Sequence, residues 1–179
     1  MESVGRLGII AAALFGGGYV ITGESDFEVP VNRPADEVYS AFSGARTFNG
    51  GLRNAGYAKV KVRTERPSDK EIVFWSGEEG AKNAMRIALT IEPGSSAKQS
   101  TLTAAIDVPA VEYDVDGEDM VLSESKVEDV FEENIAAIAG RLSNGQDPQA
   151  ELDEFRDMLD LVALATNPKE MQKFEDSLE

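Results

Sequence analysis

Three patterns of apolar and polar positions follow one another along the chain. The first is a charge-free run from Leu7 to Ile21, LGIIAAALFGGGYVI, with Arg6 before it and Glu24, Asp26 and Glu28 after it. The second is alternation at a period of two, the mark of strands with one wetter face. Asp26 to Val31 reads as a first strand. Ala58, Val60 and Val62 then interleave with Lys59, Lys61 and Arg63, and Ile72 and Phe74 oppose Val73 and Trp75. Met85, Ile87, Leu89 and Ile91 point one way while Ala84, Arg86, Ala88 and Thr90 point the other. Pro93-Gly94-Ser95-Ser96 turns the chain, and Leu102, Ala104, Ile106 and Val108 continue the pattern on the return. Asp116-Gly117, between VEYDV and EDMVL, is the dipeptide a two-residue hairpin prefers, because both positions need positive φ. These spacings predict an antiparallel meander.

The third pattern has the helical period. Val127, Val130, Phe131, Ile135, Ile138 and Leu142 share one stripe between Glu124 and about Ser143, long enough to lie across a sheet. Asn144-Gly145 stops that helix, and Asp147-Pro148 opens another whose apolar face is Leu152, Phe155, Leu159 and Val162. Asn167-Pro168 with Glu170 repeats the starting signal for a last short helix carrying Met171, Phe174 and Leu178. Earlier in the chain, Pro34 suits the first turn of a helix with Val38 and Phe42 on one face. Phe48 and Leu52, four apart within Thr47 to Asn54, suggest a second short helix.

The order of these elements resembles the START-like superfamily, also called the polyketide cyclase or SRPBCC helix-grip fold. DFEVPVNRPADEVYSAFSG is similar to its opening strand and first helix, ALTIEPGSSAKQSTLTAAIDV to its paired later strands, and ESKVEDVFEENIAAIAGRL to its closing helix. The resemblance runs from Asp26 to Ser143, and it implies a curved antiparallel sheet gripping a long C-terminal helix. An apolar cavity for lipids, isoprenoids, polyketides or similar molecules would lie between them. Phe48, Leu52, Phe74, Met85, Ile87, Leu89 and Phe131 would line it. Periodicity identifies buried faces without separating a hollow from a packed core. The strand region is short for the family, and the helices after Asp147 depart from its plan; both would reduce the cavity.

The expected fold class is therefore α+β, a helix-grip sheet and helix with an N-terminal transmembrane helix and extra C-terminal helices. Residues 1–23 are the expected membrane anchor or uncleaved signal, 24–145 the helix-grip domain and 146–179 a C-terminal helical appendage. Val4 to Gly23 approaches the ~20 residues that a span needs, and Tyr19 to Gly23 offers a poor cleavage site. Gly8, Ala12 and Gly16 recur every four residues, where small side chains let a second transmembrane helix approach; frequent glycine and alanine in such helices is the plainer account. Arg6 against the acidic residues orients the amino terminus towards the cytoplasm. A single-pass protein of the inner (cytoplasmic) membrane, with its domain on the periplasmic or extracellular side, is the expectation. A buried soluble helix is the alternative, disfavoured by three consecutive glycines.

Composition then narrows the chemistry. The chain of 179 residues has 33 acidic and 17 basic residues, a formal net charge of −16, which opposes approach to a phosphate backbone. Nucleic acid is not an expected partner. Absence of histidine and cysteine removes the commonest general base and metal ligand, thiol catalysis and disulfides, so no cofactor is expected. Asp114, Asp116, Glu118 and Asp119 lack the spacing of a calcium loop and read as a solvated hairpin tip. Glu78 and Glu79 read as turn charges, and Arg86 as a surface ion pair. Trp75, the single tryptophan, is expected in the core.

Three functions remain: a non-catalytic, membrane-anchored domain that binds a hydrophobic lipid, isoprenoid or quinone-like ligand; an accessory subunit of a membrane protein complex; and a cyclase-like enzyme. Membrane lipid, a hydrophobic small molecule and a membrane complex are the expected partners.

Overall fold

The computed structural model describes residues 27–44, 62–77, 84–115 and 118–167. The apolar leader, Phe48 and Leu52, Glu78 and Glu79, the tip Asp116-Gly117 and the last expected helix lie outside these residues. Five strands, β1 (Phe27–Val31), β2 (Arg63–Glu65), β3 (Glu71–Ser76), β4 (Met85–Pro93) and β5 (Ser100–Asp107), make one curved sheet in the order β1-β5-β4-β3-β2. Every pairing in it is antiparallel. The first strand therefore closes on the last strand of the meander. The next two strands, β6 (Val111–Val115) and β7 (Glu118–Leu122), pair only with each other as a separate hairpin, where the spacing had suggested continuation of one meander.

Three helices complete the described chain: α1 (Ala35–Ser43), α2 (Glu124–Ser143) and α3 (Gln149–Ala165). The α+β class, the antiparallel sheet and the long helix towards the C-terminus thus hold. Among the described residues, no helix is long and apolar enough to cross a membrane.

One face of the sheet carries the core. Met85, Ile87 and Leu89 are fully buried, and Ile91 is nearly so, as period-two alternation on β4 requires. Register aligns Ile72 with Leu89, Phe74 with Ile87, and Leu89 with Ala104, so the apolar positions form continuous rows across three strands. Helix α1 adds Val38 and Phe42; α2 adds Val127, Phe131, Ile135 and Ile138. Helix α2 packs on β1 and β5, while α3 packs on α2 and β6.

The end of α2 shows how sequence sets the path of the chain. Gly145 has φ +69°, its N–H bonds to the Leu142 carbonyl at 3.0 Å, and Gln146 N–H reaches the Arg141 carbonyl at 2.9 Å. This left-handed cap satisfies carbonyls that the helix leaves open. Arg33, from the turn between β1 and α1, donates from Nε to the Leu142 carbonyl at 2.8 Å, placing a cation at the negative end of the helix. Asn32 N–H also bonds Ser143 Oγ at 3.0 Å. The opening strand and the long helix are thereby locked together. Downstream, Gln149 N–H bonds Asp147 Oδ1 at 3.1 Å, but Pro148, expected as the first helical residue, occupies the cap position instead.

Candidate functional site

Five of the seven expected ligand-lining residues are described: Phe74, Met85, Ile87, Leu89 and Phe131. All five are buried members of one apolar cluster at the sheet and helix interface. What occupies the middle of that interface is Phe155, from α3. Its ring lies 5.4 Å from Phe74, 5.8 Å from Phe131 and 6.1 Å from Phe42, each pair nearly perpendicular. Edge-to-face geometry of this kind adds about 0.5–1.5 kcal/mol per pair beyond area burial. Phe155 is 1% exposed. The segment expected as an appendage thus supplies the ring around which three other elements pack.

Moving α3 aside to open the interface is expensive. Leu152, Phe155, Leu159, Val162 and Leu164 are all buried, and each contributes roughly 1.5–3 kcal/mol relative to exposure. The total is on the order of 10 kcal/mol. Helix α3 is also held by Arg156, whose Nη2 donates to the Gly44 carbonyl at 3.0 Å, just past the end of α1. Burial pushes this guanidinium below its ordinary pKa, and Asp153 opposes that shift.

The opposite face of the sheet has a different character. Trp75 is half-buried there, not in the core as expected, because β3 turns Ile72 and Phe74 inward and Trp75 outward. The Arg63 guanidinium lies 3.7 Å from the centre of the indole ring, a cation–π contact, and Arg63 Nη2 donates to the Gly77 carbonyl at 3.3 Å. The indole Nε1 donates to Glu65 Oε1 at 3.0 Å. Register places Arg63 opposite Trp75, Trp75 opposite Arg86, and Arg86 opposite Asp107. Arg86 is exposed and, among the described residues, forms no ion pair, contrary to expectation. Val73 and Ala88, paired in the adjacent row, are buried yet stand outside the core cluster.

Acidic charge concentrates elsewhere, on the amino-terminal half of α2. Desolvation chiefly raises the Glu128 pKa, with Glu124, Asp129 and Asp107 adding repulsion. Glu132 is raised by burial first and then by Asp129 and Glu128. The charge of Asp107 is therefore felt on α2. Among the described residues, no group of three or more carboxylates is arranged to hold a metal ion.

Sequence reasoning missed two residues of consequence. Phe155 appeared only as one position of an apolar stripe, and nothing local indicates its aromatic partners in α1, β3 and α2. Arg63 was legible as a wet-face residue, but its stack on Trp75 needed the pairing of β2 with β3. Comparison of the chain with family models, curated proteins and solved structures gives no match in any of the three.

Proposed function

We propose that this chain is a non-catalytic interaction module, an accessory subunit of a membrane protein complex whose apolar leader holds an α+β domain at the bilayer. The observation that carries this reading is Phe155, which fills the interface where a helix-grip protein would hold its ligand. With that ring seated among Phe42, Phe74 and Phe131, this reading gives the binding to the surfaces of the domain. The lack of histidine and cysteine supports a role outside proton-transfer, thiol and metal chemistry. Small side chains at Gly8, Ala12 and Gly16 suit close packing on a partner helix.

A hydrophobic-ligand carrier of START-like plan is the second reading. It is favoured by the convergence of Phe74, Met85, Ile87, Leu89 and Phe131 on one interface beneath α2, with membrane lipid or a quinone-like molecule as the ligand. Purification of the full chain in mild detergent, followed by mass spectrometry of both proteins and lipids, separates the two. The interaction module requires stoichiometric larger subunits. A stoichiometric lipid with no protein partner would replace it with the carrier. Removal of residues 1–23 should release the domain from membranes, and a truncated chain that still sediments with them would end the tether.

A further inference from the structure

We infer that Asn144-Gly145, the exposed turn that ends α2, is a latent deamidation site: the lock between β1 and α2 withholds the reaction, and opening of that lock permits it. An asparagine followed by glycine is open to attack by the next backbone nitrogen, because glycine carries no side chain to obstruct the approach. Water is the only co-reactant. Gly145 N gives its proton to solvent and bonds to Asn144 Cγ, the Cγ–Nδ2 bond breaks, and Nδ2 leaves as ammonia. The succinimide ring then takes up one water at either carbonyl and opens to aspartate or to isoaspartate. Both residues are exposed, so solvent reaches them and geometry decides the rate.

The folded cap keeps the reacting atoms apart in four ways. Asn144 has ψ +4°, which sets Gly145 N in line with the Asn144 backbone nitrogen, whereas the ring requires it in line with Cβ. The Gly145 N–H is donated to the Leu142 carbonyl at 3.0 Å, so the proton that must leave is held. Asn144 Nδ2 donates to the Gly140 carbonyl at 2.9 Å, turning the side-chain amide back along the helix. Arg33 Nε donates at 2.8 Å to the same Leu142 carbonyl that Gly145 uses, and its Nη2 lies 2.7 Å from where a Cβ on Gly145 would stand. With the bond from Asn32 N–H to Ser143 Oγ, the residues that join the first strand to the long helix are the ones that hold the cap shut. Reaction therefore needs a local opening, and its rate scales with the open fraction. Isoaspartate places an extra carbon in the main chain ahead of Gly145, so the original cap cannot reform and the opening becomes permanent.

The test is peptide mapping by mass spectrometry of the full chain, held in mild detergent in a mildly alkaline buffer, with and without urea at an unfolding concentration. Asn49-Gly50, the other such pair in the sequence, is followed in the same digests to match conditions between samples. Conversion at Asn144 should be at least tenfold slower in the folded chain than in urea, an opening free energy of about 1.4 kcal/mol or more. Arg33→Ala should speed conversion of the folded chain by about tenfold relative to its own rate in urea. Loss of the cation alone would slow proton removal, so acceleration in this variant reports release of the cap. Ser143→Ala, which removes only the tie to Asn32, should give a smaller acceleration and carries the test if Arg33→Ala does not fold. Lys98→Ala, at the exposed turn between β4 and β5, should leave the rate unchanged. Equal rates at Asn144 with and without urea would overturn the inference. So would no conversion at Asn144 in either state, or folded variants of Arg33 and Ser143 that react no faster than the parent.

Discussion

The two faces of the five-stranded sheet are made from the same strands and do opposite things. On the inner face, rows such as Ile72, Leu89 and Ala104 meet α1 and α2, and Phe155 closes the centre from α3. On the outer face, one residue away along each strand, Trp75 carries a stacked arginine and Arg86 is exposed. The inner face has spent its apolar surface on folding. The outer face keeps an indole that is half-buried and two guanidiniums that are exposed.

The largest expected effect lies inside. Phe155→Ala removes a ring that three other phenylalanines pack around, and should lower unfolding free energy by about 3–5 kcal/mol, read by chemical denaturation. A loss below about 1 kcal/mol would mean that the interface does not depend on α3, and the contrast between the faces would fail.

Next comes the lock between β1 and α2. An added Cβ at Gly145 would stand 2.7 Å from Arg33 Nη2, and the position has positive φ. Gly145→Ala should therefore cost about 1–2 kcal/mol from backbone strain alone, with displacement of Arg33 adding to it. On the outer face, Arg63→Ala should cost only about 0.5–1 kcal/mol, the size of an exposed cation–π contact. If Arg63→Ala destabilised as much as Phe155→Ala, the contrast between the two faces would fail.

The smallest effect is electrostatic. Glu128 and Glu132 are held above their ordinary value of 4.5 in the folded chain, chiefly by burial. The folded state therefore binds these protons more tightly than the unfolded state. Their contribution to stability is fully present below pH 4.5 and is lost as pH rises through the folded pKa values. Glu128→Gln with Glu132→Gln should make the chain more stable than its parent at neutral pH, and the advantage should shrink on acidification. Denaturation midpoints of the two proteins across that range provide the check; a constant difference would remove the linkage.

What was legible in the sequence was local. Val38 and Phe42, the alternation of β4 and β5, and the stripe of α2 follow from a single element's period, and they are where the pattern placed them except for Val130, which is half-buried and outside the core cluster. The face of Trp75 was also encoded, since alternation on β3 turns it outward with Val73. That signal runs against the general tendency of a tryptophan to be highly buried. Other features depend on partners far apart in the chain. Neither the meeting of Phe155 with Phe42, Phe74 and Phe131, nor the separation of the β6 and β7 hairpin from the sheet, has a period to reveal it. Asn144-Gly145 announced the end of α2, while the arginine that bonds its last turn comes from residue 33.

The central claim is that the chain closes its own interior. Titration of the wild-type protein with N-phenyl-1-naphthylamine, an uncharged aromatic that fluoresces in apolar cavities, addresses it directly. A filled interface gives no saturable enhancement. Tight one-to-one binding, abolished by enlarging a side chain at Leu89 or Ile87, would contradict the claim.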